Sequence, residues 1–214
     1  NNVPSDEEIG EFLPLVDYKL VVLDEGASSV YLPIRGMALD LGGIAKGWAA
    51  DEAGRVLSGH KGIVNLGGNV LVLDSKPDES PWRIGIQDPD TSRGSYIGIV
   101  ELVDQTLVTS GPYERFFEHE GTIYHHILDT KTGYPVASPL TSVSIITDRS
   151  VIADGLSTAA YALGLEKGLE LIDRLDGVEA IFLTKDRSVY ASEGILDGSI
   201  AFKITHPEYT IVSR

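Results

Sequence analysis

An α+β fold is predicted by three observations. Short runs rich in Val, Ile, Leu and Thr recur along the whole chain, bounded by Gly, Pro, Asp and Ser. Three or four stretches with 3.6-residue apolar spacing and recognisable caps are scattered among them. No short-period repeat, low-complexity tract or obvious linker divides the sequence. At 214 residues the chain is one large domain or two small ones, with enough length for a real core.

Ser5 with Glu8 three residues on forms a capping box ahead of a short helix to Leu13. Tyr18–Leu23 and Ser29–Ile34 read as strands joined by an Asp24-Glu25-Gly26 turn. An apolar run from Ile34 to Leu39 ends at Asp40, and Gly42-Gly43 then leads into a helix to about Leu57. That helix carries an apolar stripe of Ile44, Trp48, Ala49 and Ala53. Ile63 to Leu73 reads as strand, glycine kink at Gly67-Gly68, strand, the kink marking a bulge or a close approach. Trp82–Gln87, Ile97–Leu102, Thr106–Thr109 and Ser142–Thr147 are further strands. A helix follows from Ser150 to Leu163 with Gly164 as its C-cap, then a helix over about Glu166–Leu175. Strand Ala180–Thr184 and hairpin-like strands complete the chain.

The charge balance of 17 basic against 32 acidic residues gives −15, which repels a nucleic-acid backbone, and no basic cluster offsets it. An anionic cofactor remains compatible with a local site, especially one holding a divalent metal. The absence of cysteine excludes disulfides, thiolate metal sites and cysteine nucleophiles. No apolar stretch has membrane-spanning length, and Asn1 to Glu8 is not a signal peptide. The chain starts as though cut from something longer.

Chemistry is carried by a few constellations. The bend at Gly42-Gly43 lets a ligand come close, and the helix after it directs free N–H groups at an anion. Lys46 stands in that helix's first turn, where the dipole does not favour a cation, so it has a task outside helix stability. Asp154 and Thr158 share one face of a helix at i and i+4, with Ser157 beside them, a set of hard oxygens that suits Mg²⁺ or Ca²⁺. Ala153, Leu156, Ala159, Ala160 and Ala162 predict that this helix is buried nearly all round. No Lys or Arg lies on it to pair with Asp154, which points to a metal or another buried donor. His125-His126 alternate across a strand, so at most one faces any site. Five scattered histidines argue against zinc, and Ser110-Gly111 is no nucleophile elbow. Neither glycine pair spells a dinucleotide fingerprint or a P-loop.

Six motifs occur in order: Asp40-Leu-Gly-Gly-Ile-Ala-Lys-Gly-Trp-Ala-Ala-Asp51, Val64-Asn-Leu-Gly-Gly68, Pro81-Trp-Arg-Ile-Gly-Ile86, Val108-Thr-Ser-Gly111 with Tyr113, His126-Ile-Leu-Asp129 with Thr132-Gly133 and Pro135, and Ala153-Asp-Gly-Leu-Ser-Thr158. Together they resemble the FAD:protein FMN transferases, the ApbE family, over about Pro4 to Thr184. The resemblance implies a single catalytic domain over 1–214. It is expected to be mostly antiparallel, T-fold-related, and to lack the family's N-terminal region. It also implies FAD as FMN donor, Mg²⁺, a target protein bearing an acceptor Thr or Ser, and release of AMP. In the family the upstream region carries a lipoprotein signal, so the expected location is extracytoplasmic and lipid-anchored. The resemblance leaves two expectations: the chain is a fragment whose missing part is a separate or cleaved piece of the same product, or the pocket is open on one side.

By resemblance, Asp40, Gly42, Lys46, Ser110, Gly111, His126 and Ile127 fall at cofactor-binding positions. The Gly43 carbonyl, Asp154, Thr158 and, less centrally, Ser157 fall at metal positions. Lys46 and Asp154 count as catalytic, with His126 taking the proton of the acceptor hydroxyl, since imidazole exchanges a proton near neutral pH. Asn69 stands where the family often has an acid. Two alternatives stay open: a pyrophosphatase turning FAD into FMN and AMP, and a non-catalytic FAD-binding protein.

Overall fold

The computed structural model describes residues 2–91, 94–113 and 115–212. Helix α1 (Asp6–Phe12) has the expected capping box, with the Ser5 hydroxyl accepting the Glu8 N–H and Glu8 accepting the Ser5 N–H at 2.8 Å. The first expected strand is shorter than its apolar pattern suggests. Tyr18–Leu20 is a 3₁₀ turn capped by Asp17, and only β1 (Val22–Asp24) and β2 (Ser29–Tyr31) pair.

Helix α2 (Ala45–Val56) leads to β3 (Gly62–Asn65) and β4 (Asn69–Leu73). The expected glycine kink is a two-residue hairpin turn. Leu66 N–H donates to the Asn69 carbonyl, and Gly67 and Gly68 both have positive φ, the pattern of a type I′ turn. After β5 (Trp82–Gln87), β6 (Tyr96–Leu102) and β7 (Thr106–Ser110), the hairpin β8 (Phe116–His119) and β9 (Thr122–His125) precedes β10 (Leu140–Thr147). Helix α3 (Ser150–Leu163) ends at Gly164, φ 80°, as predicted, and α4 (Leu165–Ile172) leads to β11 (Glu179–Thr184) and β12 (Ser188–Ala191). The tail begins with the expected hairpin, β11 paired antiparallel with β12, and departs from that pattern only beyond it. A short helix α5 (Glu193–Leu196) sends β13 (Phe202–Ile204) to pair with β6, while β14 (Thr210–Ile211) runs parallel to β12.

The chain divides into two compact units, residues 1–41 with 115–136 and residues 42–114 with 137–214. The smaller unit holds α1 and the two hairpins. Its turn at Gly133 (φ 76°) lies against Ile9, and the Tyr134 hydroxyl donates to Asp6 at 2.6 Å.

In the larger unit, among the described residues, seven strands form a sheet in the order β14-β12-β11-β10-β7-β4-β3, antiparallel except for β12–β14. A three-stranded sheet, β13-β6-β5, covers one face. Val70, Val72, Leu107, Ile146, Ile181 and Leu183 there meet Ile84, Ile86, Ile97, Val100 and Leu102 in an apolar core. Helices α2 and α3 cover the opposite face. No described helix is long and apolar enough to cross a membrane.

The apolar stripe predicted for α2 is not its packed face. Ile44 and Trp48 are exposed, whereas Gly47 and Ala50 are buried. A Cβ on Gly47 would lie 2.3 Å from the Ser150 carbonyl oxygen, and one on Gly54 would lie 2.9 Å from Leu71 Cδ2. Close approach of backbone to backbone selects small residues, and size outweighs hydropathy here. Helix α3 departs in the same direction: Ala153 and Ala160 are buried, but Ile152, Ala159, Ala162 and Leu163 are exposed.

Candidate functional site

The crossing of α2 and α3 brings the glycine-rich bend to the late acidic helix. Each helix supplies a carboxylate to the other's N-terminus. Asp51 of α2 accepts the N–H groups of Ser150 (2.7 Å) and Val151 (3.1 Å), which open α3. Asp154 of α3 accepts the N–H of Gly47, in the first turn of α2, at 2.8 Å. Neither helix has a side-chain cap of its own, so this exchange satisfies donors that would otherwise lack partners. Asp51 was quoted only as a motif boundary in the sequence. Its role depends on an i-to-j contact 99 residues long, which no local spacing reveals.

Asp154 is 4% exposed. Burial pushes its carboxyl above the usual range, opposed by the Gly47 N–H and by the positive charge of Lys46. The anion that occupies the α2 N-terminus in the chain itself is therefore Asp154. Its Oδ2 takes the Gly47 N–H, and Oδ1 makes no hydrogen bond among the described residues. Lys46 Nζ lies 3.5 Å from the Gly67 carbonyl oxygen, leaning over the β3–β4 turn.

A chain of hydroxyls runs from β7 to α3. Ser110 Oγ is 3.2 Å from Thr158 Oγ1 and 2.8 Å from Ser157 Oγ, and the Ser157 hydroxyl donates to the Asp154 main-chain carbonyl at 2.9 Å. Ser157 is fully buried. Its proton and position are committed to bracing α3 against the sheet, so it does not present an open oxygen to a cation. Thr158, half-buried, stands at the outer end of this hydroxyl chain. Gly111 is a packing glycine: a Cβ there would meet the Thr141 carbonyl oxygen at 2.7 Å and the Tyr113 ring.

Gly43 differs. It lies in the turn before α2, its φ is not left-handed, and a Cβ would meet nothing within 4 Å. Among the described residues no packing contact requires glycine there. Asp154 and Thr158, four residues apart on α3 and beside the first turn of α2, are hard oxygen donors of the kind a divalent cation takes. Among the described residues no group of three or more His, Cys, Asp or Glu side chains is placed to hold a metal. One carboxylate with hydroxyl and carbonyl oxygens suits Mg²⁺, which keeps waters and takes phosphate oxygens as its remaining ligands.

Asp40, His126 and Ile127 belong to the smaller unit. Asp40 is exposed. Ile127 is buried, with its N–H directed to His125 Nδ1 and its carbonyl accepting from Val136. His126 is exposed, one residue past the end of β9. Its Nδ1 is 3.2 Å from the Arg115 carbonyl oxygen, which can only accept. Nδ1 therefore carries the proton, and Nε2 is left as the basic nitrogen.

A sequence profile of the ApbE family matches residues 1–182. The chain belongs to the ApbE family. Among curated ApbE relatives, an FAD:protein FMN transferase of Treponema pallidum (strain Nichols) is 40% identical over 211 residues, covering 91% of this chain and 58% of the relative. One of Klebsiella pneumoniae (strain 342) is 40% identical over 195 residues, covering 90% and 60%. The crystal structure of the ApbE protein from Thermotoga maritima superimposes with a TM-score of 0.82 at 38% identity, over 91% of this chain and 64% of that one. The flavin transferase ApbE from Vibrio cholerae gives 0.79 at 27% identity, over 92% and 63%. The α+β, largely antiparallel architecture is thus the ApbE fold. The chain spans about three-fifths of the length of these relatives.

Proposed function

We propose that this chain holds the cation and the pyrophosphate in an Mg²⁺-dependent transferase that moves FMN from FAD onto a Thr or Ser hydroxyl of another protein and releases AMP. The observation that carries this reading is the Gly47–Asp154 hydrogen bond. It joins the bend at Gly42-Gly43 to a buried carboxylate whose second oxygen is open. The names of the relatives support it.

Asp154, Thr158 and the Gly43 carbonyl are the ligands we assign to Mg²⁺. When bound, the cation supplies charge neutralisation on the pyrophosphate oxygens. Lys46, held at the Gly67 turn, adds a second positive charge against the phosphates in an otherwise acidic protein. By family resemblance alone we also assign flavin-nucleotide positions to Gly42, Ser110 and Gly111 in the larger unit and to Asp40 and Ile127 in the smaller one. His126 Nε2 accepts the proton of the acceptor hydroxyl. The acceptor oxygen then bonds to the FMN-side phosphorus, the bond from that phosphorus to the bridging oxygen breaks, and AMP leaves with that oxygen. We assign the protein to an extracytoplasmic compartment on the family resemblance alone.

The test is incubation with FAD, Mg²⁺ and a target bearing an acceptor threonine. Covalent flavin on the target with stoichiometric AMP supports transfer. Free FMN with AMP replaces it by a pyrophosphatase, and intact FAD overturns both. Asp154→Ala is expected to lower AMP release on the order of 100-fold, since it removes a direct metal ligand.

A further inference from the structure

Asn69 opens β4 immediately after the Gly67-Gly68 turn and is fully buried. Neither its Nδ2 nor its Oδ1 has a hydrogen-bond partner among the described residues. A buried amide with nothing to bond is destabilising, and one that persists calls for an explanation.

The strand register shows where this amide points. Asn69 stands opposite Val108, and Ser110, two residues along β7, turns its hydroxyl to Ser157 and Thr158 of α3. Residues two apart on a strand share a face, so Asn69 projects into the helix layer. Its place along α2 is bracketed by two contacts. Lys46 reaches the carbonyl of Gly67, two residues before it, and Gly54 packs on Leu71, two residues after it. Helix α2 therefore runs along β4 with its turn 46–50 over Asn69. That turn contains Gly47, whose N–H is bonded to Asp154. A buried amide donor and the free Oδ1 of a buried carboxylate thus meet the same turn of α2.

We propose that Asn69 is a positioning residue for Asp154: its Nδ2 donates through an interior water to Asp154 Oδ1 and fixes the carboxylate for a divalent cation. The proposal rests on the cation site assigned above. A neutral amide orients the carboxylate without competing for the cation's charge. A water between polar groups is the usual occupant of such a place, and groups that orient a ligand from behind change metal affinity by about 10- to 100-fold.

Asn69→Leu keeps the branched side-chain shape, with somewhat greater volume, and removes both polar atoms. Mn²⁺ titrated into wild-type and variant protein without flavin, followed by electron paramagnetic resonance, reads the cation site without turnover. The expected result is an Mn²⁺ dissociation constant raised about tenfold or more, with the metal-free Tm of the same samples reporting any loss of fold. A dissociation constant within twofold of wild type overturns the proposal, whether or not Tm falls. Asn69→Ala serves where leucine is not accommodated, with the same expected loss and the same overturning result. Wild-type protein that binds no Mn²⁺ overturns the cation site itself, whereas unchanged affinity in both variants overturns only the role of Asn69.

Discussion

Asp51 accepts the N–H of Ser150 at 2.7 Å, so a carboxylate from one helix caps the next helix 99 residues away. The same pair of helices is closed from the other side by Asp154 on Gly47. The site is therefore held by two reciprocal caps, one of which is also the proposed metal ligand. Arg149, 3.8 Å from Asp51 and largely exposed, adds little to this. Asp51→Ala is expected to cost about 1–2 kcal/mol, the usual effect of losing a cap, and to lower Tm by about 3–6 °C. Thermal unfolding followed by circular dichroism checks it.

Gly43 of the bend and Gly47 of α2 have opposite reasons to be glycine, and substitution separates them. Gly47→Ala drives a methyl into the Ser150 backbone and is expected to destabilise by about 3 kcal/mol or more. Gly43→Ala meets no protein atom within 4 Å. Its Tm should stay within about 2 °C of wild type, while the Mg²⁺ concentration needed for half-maximal AMP release rises severalfold. Equal losses of Tm in the two variants would contradict the open space assigned to Gly43.

Asp154→Asn separates charge from shape. The amide oxygen can still accept from Gly47, and a group whose ionised form is disfavoured by burial loses that penalty. Stability is expected to hold or rise while AMP release falls on the order of 100-fold. Urea unfolding and an AMP assay on the same preparation decide it.

His126→Ala is expected to lower flavin transfer to a target protein by about 100-fold while FAD binding survives. The Arg115 carbonyl sets the tautomer that leaves Nε2 basic, so His126→Gln, which cannot serve as a base, should be no better than alanine. Fluorescence titration with FAD alongside a covalent-flavin gel assay distinguishes binding from transfer, and an unaltered transfer rate removes the assignment.

Tyr161, buried at 2% exposure, has its hydroxyl pushed up to about 12 by desolvation. The folded chain keeps a proton that the unfolded chain releases near pH 10. Its contribution is complete below pH 10 and is lost as pH rises from about 10 to 12, amounting to about 2–3 kcal/mol in all. Urea midpoints measured from pH 9 to 12 should fall more steeply in wild type than in Tyr161→Phe.

Much of this was legible in the residues. The capping box at Ser5 and Glu8, the helix from Ser150 to the Gly164 cap, and the strands from Trp82, Thr106 and Ser142 follow from short-range rules that the structure obeys. So does the proximity of the hard-oxygen set on α3, since i and i+4 share a helix face. Two readings failed for one reason. The stripe of Ile44 and Trp48 and the all-round burial of α3 were inferred from hydropathy, whereas contact between backbones depends on what fits, and Gly47, Ala50 and Gly54 fit. Gly67-Gly68 was read as a kink because each strand beside it is short and neither shows its partner.

The sequence by itself determined the local elements, the absence of thiol chemistry, the acidic field and the family, because each depends on residue identity or on neighbours within a turn or two. Only the tertiary structure decided that Asp154 meets Gly47, that Asp51 caps α3, that Ser110 reaches Ser157 and Thr158, and that the Asn69 amide is buried with no hydrogen-bond partner among the described residues. Those facts arise where segments about 40 to 110 residues apart are pressed together, and local spacing carries no information about which distant backbone will come close.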